Sequence, residues 1–222
     1  MNKIFMIGGG KGGVGKSTVS MALVDALLEK GEQVLLVESD DSNPDTYKAL
    51  KNIVPCEICN MDTEEGYIKL GGIIEEKSKD CIVVNTAARA TAGLMKHGAI
   101  IADVAKEMNR ELIMLWPINR QRDSLELLNE FLSNAQGYKA IYAVLNTYFG
   151  DARKFLRFNE SKLKTKVTGS IEFPELNDLV ADKIVDERLA LSNADPKLKI
   201  AERSALRRYR EAAHKALEVI YG

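Results

Sequence analysis

The chain has 222 residues, with 31 lysines and arginines against 32 aspartates and glutamates, and 45% of its residues are hydrophobic. This length suits one domain with a buried core, and the balanced charge excludes a strongly basic or disordered protein. Three cysteines are too few for a disulfide scaffold. The sequence shows no secretory signal pattern and no apolar run near the ~20 residues of a membrane-spanning helix. We therefore expect a cytoplasmic protein.

A glycine-rich segment lies between a predicted strand and a predicted helix. The apolar run Ile4–Ile7 is long enough for a short buried strand. Beyond the glycines, apolar residues recur at helical spacing from Val19 to Leu27, with Asp25 on the opposite face. Gly31 stands where the C-terminal cap of this helix belongs. A strand, a glycine loop and a helix in this order are the context of a phosphate-binding loop.

The segment also carries the phosphate-loop sequence, Gly-x-x-x-x-Gly-Lys-Ser. Glycines allow backbone N–H groups to turn around a phosphate, and the N-terminus of the following helix adds a partial positive charge. Lys16 can neutralise the β- and γ-phosphate oxygens of a nucleotide, and the Ser17 hydroxyl can hold Mg²⁺. The residues predicted to bind the nucleotide are Gly10, Lys11, Gly12, Gly13, Val14, Gly15, Lys16, Ser17 and Thr18.

A second lysine distinguishes this loop from the simplest phosphate loop. The segment from Lys11 to Thr18 closely resembles the deviant phosphate loop of the ParA/MinD family of ATPases. The resemblance implies ATP and Mg²⁺ as ligands and slow ATP hydrolysis. It also implies a homodimer that forms with ATP, in which Lys11 reaches the nucleotide of the partner subunit and acts in catalysis with Lys16. The alternative for Lys11 is a solvated loop lysine.

Two acidic residues follow the next predicted strand, the apolar run Gln33–Val37. Acidic residues at this end of a strand lie where open α/β sheets bind ligands. The family has an Asp-x-Asp pattern here, whose second aspartate orients the attacking water, and this chain has Glu38 and Asp40. The resemblance assigns catalysis to Asp40 and metal-side roles to both residues. The alternative is a polar loop in which Asp45 caps a helix over Thr46–Lys51.

The third predicted strand, Cys81–Val84, ends at Asn85. The matching family segment has an aspartate that holds the magnesium-bound water. Asn85 can still form a hydrogen bond with such a water, but the side chain carries no charge. This departure predicts slower hydrolysis, and Asn85 joins Ser17, Glu38 and Asp40 as a metal-side candidate.

Two later segments resemble the part of the family that holds the nucleoside. A strand predicted over Ala140–Leu145 ends at Asn146, which resembles the base-recognition position. Residues 173–176 resemble a loop that lies along adenine, which implies contacts around Pro174 and Leu176. The alternative is a strand-to-helix turn punctuated by proline. The guanine signature Asn-Lys-x-Asp is absent from the sequence, which favours ATP.

Two stretches are rich in basic residues: residues 153–166 and a last helix predicted over 201–220. A solvated face is the plainest interpretation. A surface that contacts nonspecific DNA is the second, and a membrane-surface helix is disfavoured because the apolar face of the last helix is rich in alanine. The DNA hypothesis assigns contacts to Arg153, Lys154, Arg157, Arg203, Arg207, Arg208 and Arg210.

Alternating strands and helices predict an α/β doubly wound fold with a mostly parallel sheet, as one P-loop ATPase domain over residues 1–222. Further helices are predicted over 63–77, 93–109 and 124–133, the third capped by Asp123 or Ser124. Further strands are predicted over 112–116, closed by Pro117, and over 167–171. Cys56 and Cys59 form a lone Cys-x-x-Cys pair, for which partly buried cysteines are favoured over a metal or redox site.

The resemblance implies an ATP-driven switch that positions or maintains DNA in plasmid partition or conjugation, read by DNA or by an adaptor protein. The segment at Asn85, the later Asn146 and the arginine-rich last helix are more similar to plasmid-encoded TraL- and StbB-like branches than to chromosomal ParA or to MinD. Three alternatives stay open. They are an ATPase that positions a protein or membrane, a metabolic ATP-dependent enzyme, and a binding module with little hydrolysis.

Overall fold

In the computed structural model, which describes residues 2–78 and 80–221, seven strands form one parallel sheet. The strands are β1 (Lys3–Ile7), β2 (Val34–Glu38), β3 (Cys56–Ile58), β4 (Cys81–Asn85), β5 (Glu111–Ile118), β6 (Ala140–Asn146) and β7 (Gly169–Phe173). Their order across the sheet is β3-β2-β4-β1-β5-β6-β7. The predicted α/β doubly wound fold is confirmed.

Nine α-helices within the described residues cover the two faces of the sheet. They are α1 (Lys16–Glu29), α2 (Asp45–Leu50), α3 (Glu64–Glu76), α4 (Thr91–Glu107), α5 (Arg122–Asn134), α6 (Leu156–Asn159), α7 (Leu163–Lys166), α8 (Asp178–Asp186) and α9 (Ile200–Tyr221). Helices α1, α2, α8 and α9 pack on the face of the sheet that buries Phe5, and α3 to α7 pack on the face that buries Met6. Because both faces are covered, the central strands are apolar except at their ends.

Pro117 does not close β5 as predicted, since the strand continues to Ile118. The backbone of Leu115 faces β1, because the Gly8 N–H donates to the Leu115 carbonyl at 2.9 Å. Pro117 faces the same side two residues later, beyond the last pair between β1 and β5, Ile7 with Leu115. The missing N–H of Pro117 therefore leaves no ladder hydrogen bond unmade.

Several boundaries differ from the predictions by one or two residues. Helix α5 begins at Arg122, so neither Asp123 nor Ser124 is its cap, and Asp45 is the first residue of α2 rather than its cap. Strand β7 begins at Gly169, two residues later than predicted. The short β3 and the helix α8 have no counterpart among the predicted elements.

Asp25 is buried, although its helical phase predicts a position on the exposed face of α1. The side chain is 4% exposed because α9 packs against α1 and covers it. Arg210 donates from Nε to Asp25 Oδ2 at 2.7 Å and from Nη2 to Oδ1 at 3.1 Å, and the His214 ring lies 2.7 Å from Oδ2. This charged cluster joins the last helix to the helix that follows the glycine loop.

The apolar side of α9 is also shifted from its predicted face. Leu206 is buried and Ala212 is exposed, whereas Tyr209, Ala213 and Leu217 are buried as predicted. No helix within residues 2–78 and 80–221 combines the length and the apolar character needed to cross a bilayer.

Candidate nucleotide site

The glycine loop leaves the carboxyl end of β1, which lies between β4 and β5 at the centre of the sheet. Gly13 and Gly15 have positive φ angles of 75° and 100°, a conformation that residues with a side chain rarely adopt. A methyl group on Gly15 would lie 2.4 Å from Asn146 Nδ2. The first turn of α1 has no side-chain cap and no acidic residue, so its N–H groups remain open to an anion.

Lys16 is the buried cation of this loop, with 8% of its surface exposed. Its ammonium donates a hydrogen bond to the Lys11 carbonyl at 3.0 Å. Burial lowers the pKa of Lys16 to about 8, although the nearby charges of Asp40 and Glu38 oppose this change. A partly desolvated ammonium beside open N–H groups is suited to binding phosphate oxygens.

Glu38 and Asn85 face each other at the ends of the neighbouring strands β2 and β4. Asn85 Nδ2 donates to Glu38 Oε2 at 2.9 Å and to the Thr46 hydroxyl at 3.2 Å, and Asn85 Oδ1 accepts a hydrogen bond from Ser20. Ser17 Oγ lies 3.5 Å from Asn85 Nδ2. Burial raises the pKa of Glu38, and hydrogen bonds from the Asp40 N–H and from Asn85 oppose that rise only in part.

Asp40 lies on the loop after β2 and is paired with Arg89, which belongs to none of the sequence motifs. Asp40 Oδ1 accepts hydrogen bonds from the Ser42 hydroxyl, the Asn43 N–H and Arg89. Burial raises the pKa of Asp40, but these three hydrogen bonds outweigh burial and hold the pKa below its usual value. The sequence feature that could have identified Arg89 is its position just after β4, because the acidic residues after β2 lie at the same edge of the sheet.

The Lys11 side chain contacts the start of α5 rather than the cleft of its own chain. Its ammonium donates to Gln121 Oε1 at 2.8 Å and forms an ion pair with Asp123. Asp123, predicted as a helix cap, therefore partners the loop lysine.

Asn146 supports the glycine loop from the end of β6. Its Nδ2 donates to the Val14 carbonyl at 3.0 Å, and its Oδ1 accepts from the Tyr148 N–H at 3.1 Å. Asn146 pairs in register with Phe173, so Pro174 and Leu176 follow from the neighbouring strand end. The structure thus places Asn146 beside the glycine loop and next to Phe173, and both amide atoms of Asn146 already have partners. Neither Asn146 nor Pro174 nor Leu176 is among the residues that line the cleft.

A cleft of about 330 Å³ joins the loop to the strand ends of β2 and β4. Its lining residues are Gly12, Gly13, Gly15, Lys16, Ser17, Thr18, Asp40, Asn43, Asn85, Thr86, Ala87 and Ala88. A Cβ built on Gly12 or Gly13 meets no atom within 4 Å, so the loop borders open space. The residues fit a phosphate group with its magnesium ion, because open N–H groups and Lys16 suit the anion, and Ser17 with one or two carboxylates suits the cation.

The two basic stretches pack on opposite faces of the sheet. Residues 155–167 enter the core beside Met6, whereas α9 enters the core beside Phe5. Arg210 is held by the buried Asp25, so its guanidinium is not a free surface cation. The exposed arginines on α9 are Arg203, Arg207 and Arg208.

The first basic stretch, residues 153–166, lies close to Gln121, the residue that accepts a hydrogen bond from Lys11. A surface depression of about 480 Å³ is bordered by Arg120, Gln121, Arg122, Lys154 and Arg157, together with Asn119 and Phe149. Arg153 is paired with its neighbour Asp151.

Cys56 and Cys59 are free thiols in an apolar setting. Cys56 is half-buried and Cys59 is buried, where its Sγ donates to the Gly66 carbonyl at 3.1 Å. Burial raises the pKa of both thiols, to about 12 for Cys56, which disfavours the reactive thiolate. Within residues 2–78 and 80–221, no group of three or more His, Cys, Asp or Glu side chains is arranged to hold a metal ion.

Known proteins that are similar to this chain include a family of nucleotide-binding domains, two curated relatives and solved structures of the same fold. Residues 5–184 match the CobQ/CobB/MinD/ParA nucleotide binding domain. The chain is 44% identical over 219 residues to protein MobD of Acidithiobacillus ferrooxidans, covering 97% of this chain and 96% of MobD. It is 26% identical over 241 residues to protein TraL of Escherichia coli, covering 98% of each chain. The cell division ATPase MinD of Pyrococcus furiosus has the same fold, with a TM-score of 0.55 at 19% identity, covering 97% of this chain and 99% of that one.

Proposed function

Because the chain belongs to the CobQ/CobB/MinD/ParA family of nucleotide-binding domains, we propose that it is an ATP-driven molecular switch. ATP binding joins two subunits, and slow hydrolysis to ADP and phosphate separates them. DNA or an adaptor protein reads the joined state, in plasmid partition, plasmid stability or conjugation. The resemblance to TraL-like proteins supports this setting, and the fold acts as one ATPase domain.

The observation that carries this proposal is the buried Lys16 ammonium beside uncapped N–H groups at the base of the cleft. In the proposal, N–H groups from Gly12 to Thr18 hold the phosphates, and Lys16 neutralises their charge. Asn146, Pro174 and Leu176 lie beside the nucleoside, where the Asn146 amide keeps the loop in place. These contacts bind and orient ATP before any chemistry occurs.

The strand ends supply the groups for hydrolysis in this proposal. Ser17, Glu38, Asp40 and Asn85 lie where a magnesium ion would be held, and Asn85 orients the Glu38 carboxylate. When bound, the ion supplies positive charge that stabilises the phosphate oxygens during transfer. Asp40 positions the water, and each Lys11 leaves Asp123 to complete the site of the other subunit.

Nucleotide binding by the Lys16→Ala variant tests the proposal, with Lys51→Ala as a matched control at an exposed lysine. Removing the buried Lys16 ammonium, which the proposal pairs with the phosphates, costs about 3 kcal/mol, so the Kd for ATP should rise on the order of 100-fold. Isothermal calorimetry with ATP and Mg²⁺ measures both variants. Tight ATP binding by Lys16→Ala would refute the phosphate-loop assignment.

DNA binding tests what reads the switch. Fluorescence anisotropy with a nonspecific duplex should show binding with ATP and Mg²⁺ but not with ADP, and the affinity should fall steeply with salt. Lys154 and Arg157 border the same depression as Gln121, which holds Lys11. Because the proposed switch acts through Lys11, Lys154→Glu with Arg157→Glu should weaken DNA binding more than Arg207→Glu with Arg208→Glu. Absence of binding in both nucleotide states would exclude DNA and leave a protein or membrane partner.

A further inference from the structure

Three loops at the carboxyl edge of the sheet meet on one arginine. Arg89, which follows β4, donates from Nε to Asp62 Oδ2 at 2.6 Å, from Nη1 to Asp40 Oδ1 at 3.3 Å, and from Nη2 to Asp41 Oδ1 at 2.5 Å. Asp40 and Asp41 follow β2, and Asp62 precedes α3. The planar guanidinium can address three carboxylates at once, whereas a lysine ammonium is a single point charge.

The contacts leave one oxygen of Asp40 available. Arg89, the Ser42 hydroxyl and the Asn43 N–H all donate to Oδ1. Within residues 2–78 and 80–221, no hydrogen-bond donor contacts Oδ2. The carboxylate is therefore fixed through one oxygen while the other can accept a hydrogen bond from water.

Arg89 connects the cleft with residues outside it. Asp40 and Ala88, which precedes Arg89, line the cleft, whereas Asp41 and Asp62 do not. The four side chains are between about one third and two fifths exposed, at 32% to 43%. Ion pairs at this exposure contribute little to folding stability, about 0 to 1 kcal/mol each. Their effect is to hold the Asp40 loop against the segment that follows β4.

We propose that Arg89 is a positioning residue, which holds Asp40 so that its free oxygen orients the water that attacks the γ-phosphate. This inference rests on the proposed ATPase function. The water oxygen bonds to the γ-phosphorus, the bond from phosphorus to the bridging oxygen of ADP breaks, and the proton of the water passes to the released phosphate. Asp41 and Asp62 act by holding the guanidinium.

The test is steady-state ATP hydrolysis with a separate measurement of ATP affinity. Because small displacements of positioned groups cost up to about 100-fold in rate, Arg89→Gln should lower kcat by about 10- to 100-fold while the Kd for ATP changes less than about 3-fold. Arg89→Lys should recover only part of kcat, since the ammonium cannot span three carboxylates. Arg188→Gln, at an exposed arginine just after α8, is the matched control and should behave as wild type.

A double-mutant cycle separates positioning from general damage. Asp62→Asn should lower kcat by about 3-fold in the wild-type background and cause no further loss with Arg89→Gln, because Asp62 acts through Arg89. Additive losses, a parallel loss of ATP affinity, full rescue by lysine, or unchanged turnover of Arg89→Gln would each overturn the inference alone. A wild-type chain that binds or hydrolyses no ATP would overturn the inference together with the proposed function.

Discussion

Replacing Asp25 with asparagine tests how strongly the last helix is held to the phosphate-loop helix. The substitution keeps the shape of the side chain but removes the charge that Arg210 and His214 share. Burial raises the pKa of Asp25, but hydrogen bonds from His214 and Arg210 outweigh burial and hold it below its usual value. The folded chain therefore favours the charged form that asparagine lacks.

The magnitude follows from the contacts of Asp25. Arg210 makes a bidentate contact with Oδ1 and Oδ2, and His214 adds a third at Oδ2. Removing one partner of a fully buried ion pair costs about 3 to 5 kcal/mol. Arg210 is 29% exposed and also lies 3.8 Å from Glu29, so water and Glu29 can satisfy it in part. We therefore expect a loss of about 2 to 3 kcal/mol in the free energy of unfolding.

Urea and thermal unfolding measure this loss. For a chain of this size, about 2 to 3 kcal/mol corresponds to a decrease in Tm of about 5 to 10 °C. Glu29→Gln is the matched control because Glu29 contacts the same two side chains, Arg210 and His214, but is 63% exposed, and it should cost less than about 0.5 kcal/mol. A loss below about 0.5 kcal/mol for Asp25→Asn would show that the buried pair does not hold the helices together.

The pH dependence gives a second check of the same cluster. A carboxyl with a lowered pKa in the folded state stabilises the chain above its unfolded pKa, about 3.9 for aspartate. That stabilisation decreases as the pH falls through the lower pKa of the folded state. The difference between the wild type and Asp25→Asn should therefore be full near pH 7 and shrink below about pH 4. A difference that grows with acid would contradict this assignment of the charge.

Three further predictions concern the cleft and the cysteines. Lys11→Ala should keep its affinity for ATP within about 3-fold, because Lys11 contacts α5 rather than the cleft of its own chain. It should lose the ATP-dependent dimer in light scattering, because the proposed dimer needs Lys11 at the nucleotide of the other subunit; unchanged dimers would make Lys11 only a loop lysine. Asn85→Asp should lower stability by about 2 kcal/mol without metal, because a second carboxylate would face Glu38, and Mg²⁺ should restore more stability than in the wild type; thermal unfolding with and without Mg²⁺ measures both effects. At pH 8, native Cys56 should react slowly with a thiol reagent because burial raises its pKa to about 12, whereas the urea-unfolded chain should expose all three thiols at once.

The elements that the sequence predicts well are those whose pattern is local. Both faces of the sheet are covered, so central strands such as β1 and β4 are continuous apolar runs, and the glycine loop follows directly in the chain. Short β3 carries too few residues for a pattern. The end of β5 is predicted wrongly at Pro117, because a proline fits in this strand only where β1 no longer pairs with it. The residues around Pro117 do not show where β1 ends.

Charged pairs between distant residues are harder to predict. Helical periodicity assigns a polar residue such as Asp25 to solvent, and its partner Arg210 is 185 residues away. Arg89 and Asp62 are 27 residues apart and belong to different loops. No spacing rule connects such residues, because the sheet order that brings them together, with β4 between β1 and β2, is a property of the whole fold.

The comparison of Asn85 with the family aspartate illustrates why a site needs its neighbours. When Asn85 alone is compared with the family aspartate, the asparagine lacks a charge, which predicts slower hydrolysis. In the fold, however, β2 and β4 are adjacent and Glu38 pairs in register with Asn85. The Glu38 carboxyl group lies 2.9 Å from the Asn85 amide, so a carboxyl group is present at the end of β4 although β2 supplies it. The uncharged amide also spares Glu38 the repulsion of a second carboxylate. The carboxyl groups at this edge are therefore set by neighbouring strand ends together, and the Asn85→Asp variant measures whether one carboxylate or two serve the proposed magnesium site better.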